Sequence, residues 1–148
     1  MSWKTLLQSN KVHRHATSVQ EISELRRVVA RDLADSAIPA LSEDRRFATA
    51  YNAALQTAKI AIACTGYRIA SVPGHHRLPF EGAKLAIGKS AEQLADYFDV
   101  CRRKRNEIDY TGARIATATE ADELLVHATA FFELVEGWIE STHRKLRR

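Results

Sequence analysis

Four long segments of this 148-residue chain place apolar residues three and four positions apart. This spacing is typical of one face of an α-helix. Apolar and polar residues do not alternate at strand spacing over any useful length. Breaks between segments are short, because the chain holds only 6 Gly and 3 Pro. The sequence therefore predicts an all-α fold, a bundle of four long helices plus one or two short ones.

Capping and stop signals predict where these helices begin and end. Ser18 and Glu21 form a capping box, in which each side chain satisfies a backbone N–H of the first turn, and Ser90 and Gln93 are spaced in the same way. Gly66 stops another helix. We expect long helices over Val19–Ala37, Ser42–Cys64, Ser90–Asp109 and from Thr117 nearly to the C-terminus, with a short helix over Phe80–Ile87.

The chain length is sufficient for one domain with its own apolar core. We expect a single domain over residues 1–148, with mobile ends at residues 1–17 and 141–148. No run of about 18 apolar residues and no cleavable leader is present, so no membrane contact is predicted. Cys64 and Cys101 lack metal-ligand or C-x-x-C spacing and are interpreted as small buried side chains in a reducing compartment, which predicts a cytoplasmic location.

The charge and motif content exclude few functions. A formal net charge of +4 permits attraction to nucleic acid, but many proteins without such a partner are as basic. The chain contains no phosphate-binding glycine loop, nucleophile elbow or H-E-x-x-H motif. No cofactor or metal is predicted. His13, His15 and the basic terminal residues 143–148 are interpreted as solvated ends.

One arginine stands where an apolar residue is expected. The predicted helix Ser90–Asp109 carries one apolar stripe, formed by Leu94, Tyr97, Phe98, Cys101 and Ile108. Because each helical residue turns by about 100°, Arg105 falls within that stripe. A simple explanation is an ion pair with Asp109, four residues on. Alternatively, Arg102, Arg105 and Asn106 together form an anion site, since guanidinium groups bind phosphate or carboxylate through paired hydrogen bonds.

The nine residues Arg102–Tyr110, RRKRNEIDY, resemble the signature helix of HEPN-domain proteins, particularly members with an R-N-x-x-D-Y form. The resemblance implies a HEPN-like helical domain that pairs as a homodimer, with the motif facing a cleft between protomers. Many relatives are RNA-cleaving toxins or defence effectors encoded beside a nucleotidyltransferase-like antitoxin. The implied catalytic residues are Arg105 and Asn106, and the implied binding residues include Arg102, Asp109 and Tyr110.

The chain departs from the family pattern at the catalytic histidine, which follows the arginine after four to six residues. Those positions hold Tyr110, Thr111 and Gly112. A phenol, with an ordinary pKa of about 10, exchanges protons poorly near neutral pH. His75 and His76, in a loop bounded by Gly and Pro, could supply a divergent base instead.

Three functional hypotheses follow. The leading one is a HEPN-like module that binds RNA, a nucleotide or a protein partner in a toxin–antitoxin or stress-defence system, with little or no catalysis. A second is an active, metal-independent ribonuclease that uses His75 or His76. A third is a structural dimerisation module, in which Arg105 and Asp109 only tie helices together.

Overall fold

The computed structural model describes residues 1–71, 77–112 and 114–148. Within them the chain forms six α-helices and one two-stranded antiparallel sheet. The elements, in chain order, are α1 (Trp3–Gln8), β1 (Val12–Arg14), α2 (Val19–Ser36), α3 (Glu43–Cys64), β2 (Tyr67–Ile69), α4 (Leu78–Ile87), α5 (Glu92–Thr111) and α6 (Ala118–Thr142). The predicted all-α fold class, with four long helices and additional short ones, is confirmed.

Polar side chains cap three of the four long helices. Ser18 accepts a hydrogen bond from the Glu21 amide, as predicted, and Ser42 caps α3 in the same way. The other half of the predicted capping box is wrong, because the Glu21 carboxylate accepts from Thr17 and His15 and not from the Ser18 amide. The predicted capping box at Ser90 is wrong. Residues Lys89–Ala91 form a 3-10 turn in which the Ala91 amide donates to the carbonyl of Gly88, and α5 starts without a side-chain cap.

Helix α3 lies at the centre of the bundle and packs against α2, α4, α5 and α6. Its buried face is rich in alanine, which lets neighbouring helices approach closely. The alanines at 50, 53, 54, 58 and 61 are all fully buried. Beside them, the ring of Phe98 from α5 lies 5.4 Å from Phe80 and 5.2 Å from Phe131, centroid to centroid. These aromatic contacts join α5 to α4 and α6.

The two-stranded sheet contradicts the expectation that the chain contains no strand. Val12 pairs with Ile69 and Arg14 with Tyr67, which ties the segment before α2 to the segment after α3. Each strand is only three residues long, too short for a recognisable alternation. The ring of Trp3 stacks on Tyr67 at a centroid distance of 4.3 Å and covers this sheet.

The C-terminal residues contact the bundle through a buried ion pair. Arg26 on α2 donates from Nε to Oε1 of Glu136 on α6 at 2.8 Å, and from Nη2 to the carbonyl of Leu146 at 2.8 Å. The guanidinium of Arg148 lies 5.8 Å from the ring centroid of Phe132 and 3.6 Å from the Glu136 carboxylate. The basic tail, which we interpreted as a solvated end, is thus partly docked.

Both cysteines are buried and free, as predicted. Burial raises the pKa of Cys64 to about 12 and that of Cys101 to about 11, so neither thiol is ionised near neutral pH. Among the helices of the described residues, none combines the length and the apolar composition needed to cross a membrane.

Candidate binding groove at Arg105

A groove of about 490 Å³ opens where α2, α3 and α5 meet. It brings together polar side chains from three helices that are far apart in the sequence. Its lining consists of Asp32 from α2, of Asp44, Arg45, Ala48, Thr49 and Asn52 from α3, and of Arg105, Ile108 and Asp109 from α5. Two of the predicted site residues, Arg105 and Asp109, therefore lie in one groove.

Arg105 is only 28% exposed, and its Nη1 atom lies 2.5 Å from Oδ2 of Asp109. The predicted intrahelical ion pair is therefore present. Nη1 is shielded from solvent, and the Asp109 carboxylate is the acceptor group that lies beside it in the described residues. Because Asp109 is 56% exposed, an anion in the groove can compete with it for the guanidinium.

The other predicted site residues lie outside this lining. Arg102 donates from Nε to Asp99 at 3.3 Å and is largely buried. Asn106 is exposed, and Tyr110 is 88% exposed. The proposed cluster of Arg102, Arg105 and Asn106 is thus divided between the groove and the surface around it. His75 and His76 lie outside the described residues.

The sequence pattern did not identify Asp32 and Asn52 as site residues. The Asp32 side chain is 6% exposed and accepts from Nδ2 of Asn52 at 2.5 Å and from Arg31 at 3.2 Å. At helical spacing Asp32 borders Leu25 on the apolar face of α2, so it is a polar residue in an apolar stripe, the same signal that identified Arg105. These hydrogen bonds satisfy its charge in the groove.

Asp44 fixes the segment that precedes α6. Its Oδ1 atom accepts from the amide of Ile115 at 3.0 Å and from that of Ala116 at 2.7 Å. On the other side of this segment, Nζ of Lys104 lies 2.6 Å from the Glu120 carboxylate. The Lys104 hydrogen bond holds the pKa of Glu120 below its usual value. These contacts hold the end of α5 beside α3 and α6.

Replacing Asp44 with alanine should lower the free energy of unfolding by about 2 kcal/mol, because two backbone amides lose a charged acceptor. Asp44→Asn keeps one acceptor oxygen and should lose less. Glu43→Ala is the matched control, since it removes a carboxylate from the same first turn of α3. Urea unfolding followed by circular dichroism measures all three variants. Equal losses for Asp44→Ala and Glu43→Ala would show that only the helix dipole is affected.

The carboxylates of the groove are engaged, whereas one of its cations is not. Asp32, Asp44 and Asp109 contact the donors described above, but Arg45 forms no ion pair with any residue that the structure describes. Tyr51 lies near the guanidinium groups of Arg102 and Arg105. Burial raises its pKa to about 12 despite these cations. Arg45 is therefore the cation of the groove that is available to an anionic ligand.

None of the residues that line the groove is a histidine or a cysteine. Over residues 1–71, 77–112 and 114–148, no group of three or more His, Cys, Asp or Glu side chains is placed to hold a metal ion. In comparisons with known proteins, no family model, curated protein or solved structure matches this chain.

Proposed function

We propose that this protein is a HEPN-like helical module that binds RNA through a phosphate held at Arg105. The observation that carries the proposal is the pair of arginines that line one open groove, Arg105, which is only 28% exposed, and Arg45, which forms no ion pair with a described residue. A guanidinium group recognises a phosphate through two parallel hydrogen bonds. A phosphate in the groove would supply two such acceptors in place of the Asp109 carboxylate.

The ion pair with Asp109 does not prevent this binding. Asp109 is 56% exposed, and an exposed pair between residues four apart contributes only about 0.3–0.5 kcal/mol. A phosphate can therefore displace the carboxylate toward solvent at little cost. Arg45, on the α3 side of the groove, has no carboxylate partner among the described residues and adds a second cation.

The groove supports binding more strongly than cleavage. RNA cleavage by general acid–base catalysis needs a group that exchanges protons near neutral pH. No lining residue is a histidine, and the raised pKa of Tyr51 keeps that nearby phenol neutral. We therefore propose a binding module. The experiment described below measures RNA cleavage together with RNA binding.

The HEPN resemblance also leads us to propose a homodimer and a nucleotidyltransferase-like antitoxin partner. Tyr110, the last residue of the motif, supports a protein contact there, because its side chain is 88% exposed. Light scattering of the purified protein determines the oligomeric state. A nucleotidyltransferase gene beside this one would support the toxin–antitoxin setting.

Arg105→Gln should weaken binding of a fluorescently labelled single-stranded RNA by about tenfold, because a charge-assisted phosphate contact is lost. Fluorescence anisotropy measures the affinity at several salt concentrations, and the dependence on salt should become less steep. Asp109→Asn should bind more tightly, because it frees the guanidinium. A gel of the same RNA after incubation with each variant reports any cleavage.

Arg103→Gln is the matched control, since Arg103 is exposed on the same helix and forms no ion pair with the described residues. Its RNA affinity should stay within about twofold of the wild-type value. Equal losses for Arg103→Gln and Arg105→Gln would contradict the proposal, because they would indicate general charge attraction. Cleavage that disappears with Arg105→Gln would favour the ribonuclease hypothesis instead.

A further inference from the structure

A second groove, of about 560 Å³, lies between α2, α3 and β2. Its α3 residues lie between Gln56 and Ala63, whereas those of the Arg105 groove lie between Asp44 and Asn52. The two grooves thus use successive parts of one helix. The volume is within the range of about 300–1,000 Å³ that is usual for sites binding small molecules.

The main carboxylate of this groove is held in place by hydrogen bonds from its neighbours. Glu21 accepts from Oγ1 of Thr17 at 2.6 Å and from Nε2 of His15 at 2.8 Å. The Thr17 hydrogen bond, with that of His15, holds the pKa of Glu21 below its usual value. Glu24, the other carboxylate of the groove, is exposed and accepts from Gln20 at 3.4 Å.

Two cations of the groove form no close ion pair, although Arg68 is near enough to Glu21 to help lower the pKa of that carboxyl. Lys59 on α3 and Arg68 on β2 both line it and are exposed. Neither forms an ion pair with a residue in the described part of the chain. Since they belong to two elements that the fold brings together, they can contact one ligand from two sides. A doubly charged oxyanion is the partner that matches two free cations.

The remaining surface of the groove suits a flat apolar group. Leu25, Val28 and Ile62 supply an aliphatic surface, and Tyr67 supplies an aromatic ring. That ring is held in place because Trp3 stacks on it at an interplanar angle of 9°. An aromatic ring system can pack against Tyr67 and the aliphatic side chains with little rearrangement of the protein.

We infer that this groove is a second ligand site, which binds a small phosphate monoester carried on an aromatic ring. The phosphate lies between Lys59 and Arg68, and the ring packs on Tyr67 and the aliphatic residues. Glu21 stays an anion on the α2 side of the groove, where Thr17 and His15 hold its carboxylate. This site is independent of the Arg105 groove, and neither proposal depends on the other.

Phenyl phosphate is the probe for this site. Calorimetric titration measures its affinity, and the fluorescence of Trp3 in a Trp138→Phe background reports where it binds, because Trp3 contacts Tyr67. We expect binding that changes the Trp3 emission. Phenol, which has the ring without the charge, should bind at least about tenfold more weakly. Equal affinity for phenol, or no heat of binding with millimolar phenyl phosphate, would overturn the inference.

A double variant tests the two cations. Lys59→Gln with Arg68→Gln should weaken phenyl phosphate binding by about tenfold or more, since both charge-assisted contacts are lost. Both side chains are exposed, and urea unfolding checks that the variant is folded. The control, Arg27→Gln with Lys89→Gln, removes the same charge from exposed positions outside the groove and should keep wild-type affinity. Equal losses in the two double variants would overturn the inference.

Discussion

Replacing Glu136 with alanine is expected to lower the free energy of unfolding by about 3–5 kcal/mol. The side chains of Glu136 and Arg26 are only 5% and 10% exposed, so the substitution leaves a buried guanidinium without its carboxylate. One nitrogen of Arg26, Nη1, already lacks a hydrogen-bond acceptor. Urea unfolding followed by circular dichroism measures the loss.

Two further variants distinguish the effect of the buried charge from a general effect of substitution on α6. Glu133→Ala removes an exposed carboxylate that also contacts Arg148, and it should change stability by less than about 0.5 kcal/mol. The double variant Arg26→Met with Glu136→Leu should recover most of the lost stability, because it removes both charges and keeps the apolar volume. If Glu136→Ala were as mild as Glu133→Ala, the ion pair would not be buried as described.

Phe98→Ala should lower the free energy of unfolding by a similar amount, about 3–5 kcal/mol, through loss of apolar contacts and creation of a cavity. Phe98 is fully buried, and its ring contacts those of Phe80, Tyr97 and Phe131. Thermal and urea unfolding both measure the effect. Phe98→Leu leaves a smaller cavity and should lose clearly less stability.

Val100→Ala is the control for Phe98→Ala, because Val100 lies two residues away on α5 and is 71% exposed. It should alter stability by no more than about 0.5 kcal/mol. A loss for Phe98→Ala below about 1 kcal/mol would mean that α5 is not anchored through this ring.

The long helices could be predicted because their signals are local. Apolar spacing and the cap at Ser18 place α2 within one residue of its observed end. The sheet could not be predicted, because the pairing of Val12 with Ile69 depends on the folded positions of α2 and α3. The start of α5 was misplaced because Lys89–Ala91 form a 3-10 turn, so Ser90 lies inside that turn and not at the helix cap.

The same distinction applies to the candidate sites. The contact between Arg105 and Asp109 follows from helical geometry alone, so the sequence was sufficient to predict it. The hydrogen bond from Asn52 to Asp32 depends on how α3 packs against α2, which the sequence pattern does not specify. We interpreted His15 as part of a solvated end. Only the pairing of β1 with β2 brings it into the same groove as Arg68 and Lys59, and that pairing could not be predicted.

The two halves of α5 differ in how deeply their side chains are buried. Its buried side chains are Ala95, Phe98 and Cys101, and none of the residues from Arg102 to Thr111 is fully buried. The second half can therefore unwind at a lower free energy than the whole protein, since little apolar surface must be exposed. Its amide hydrogens should exchange with solvent earlier than those of α3. Because Arg105 lies in this half, a ligand that binds there also stabilises the helical form of the segment that holds it.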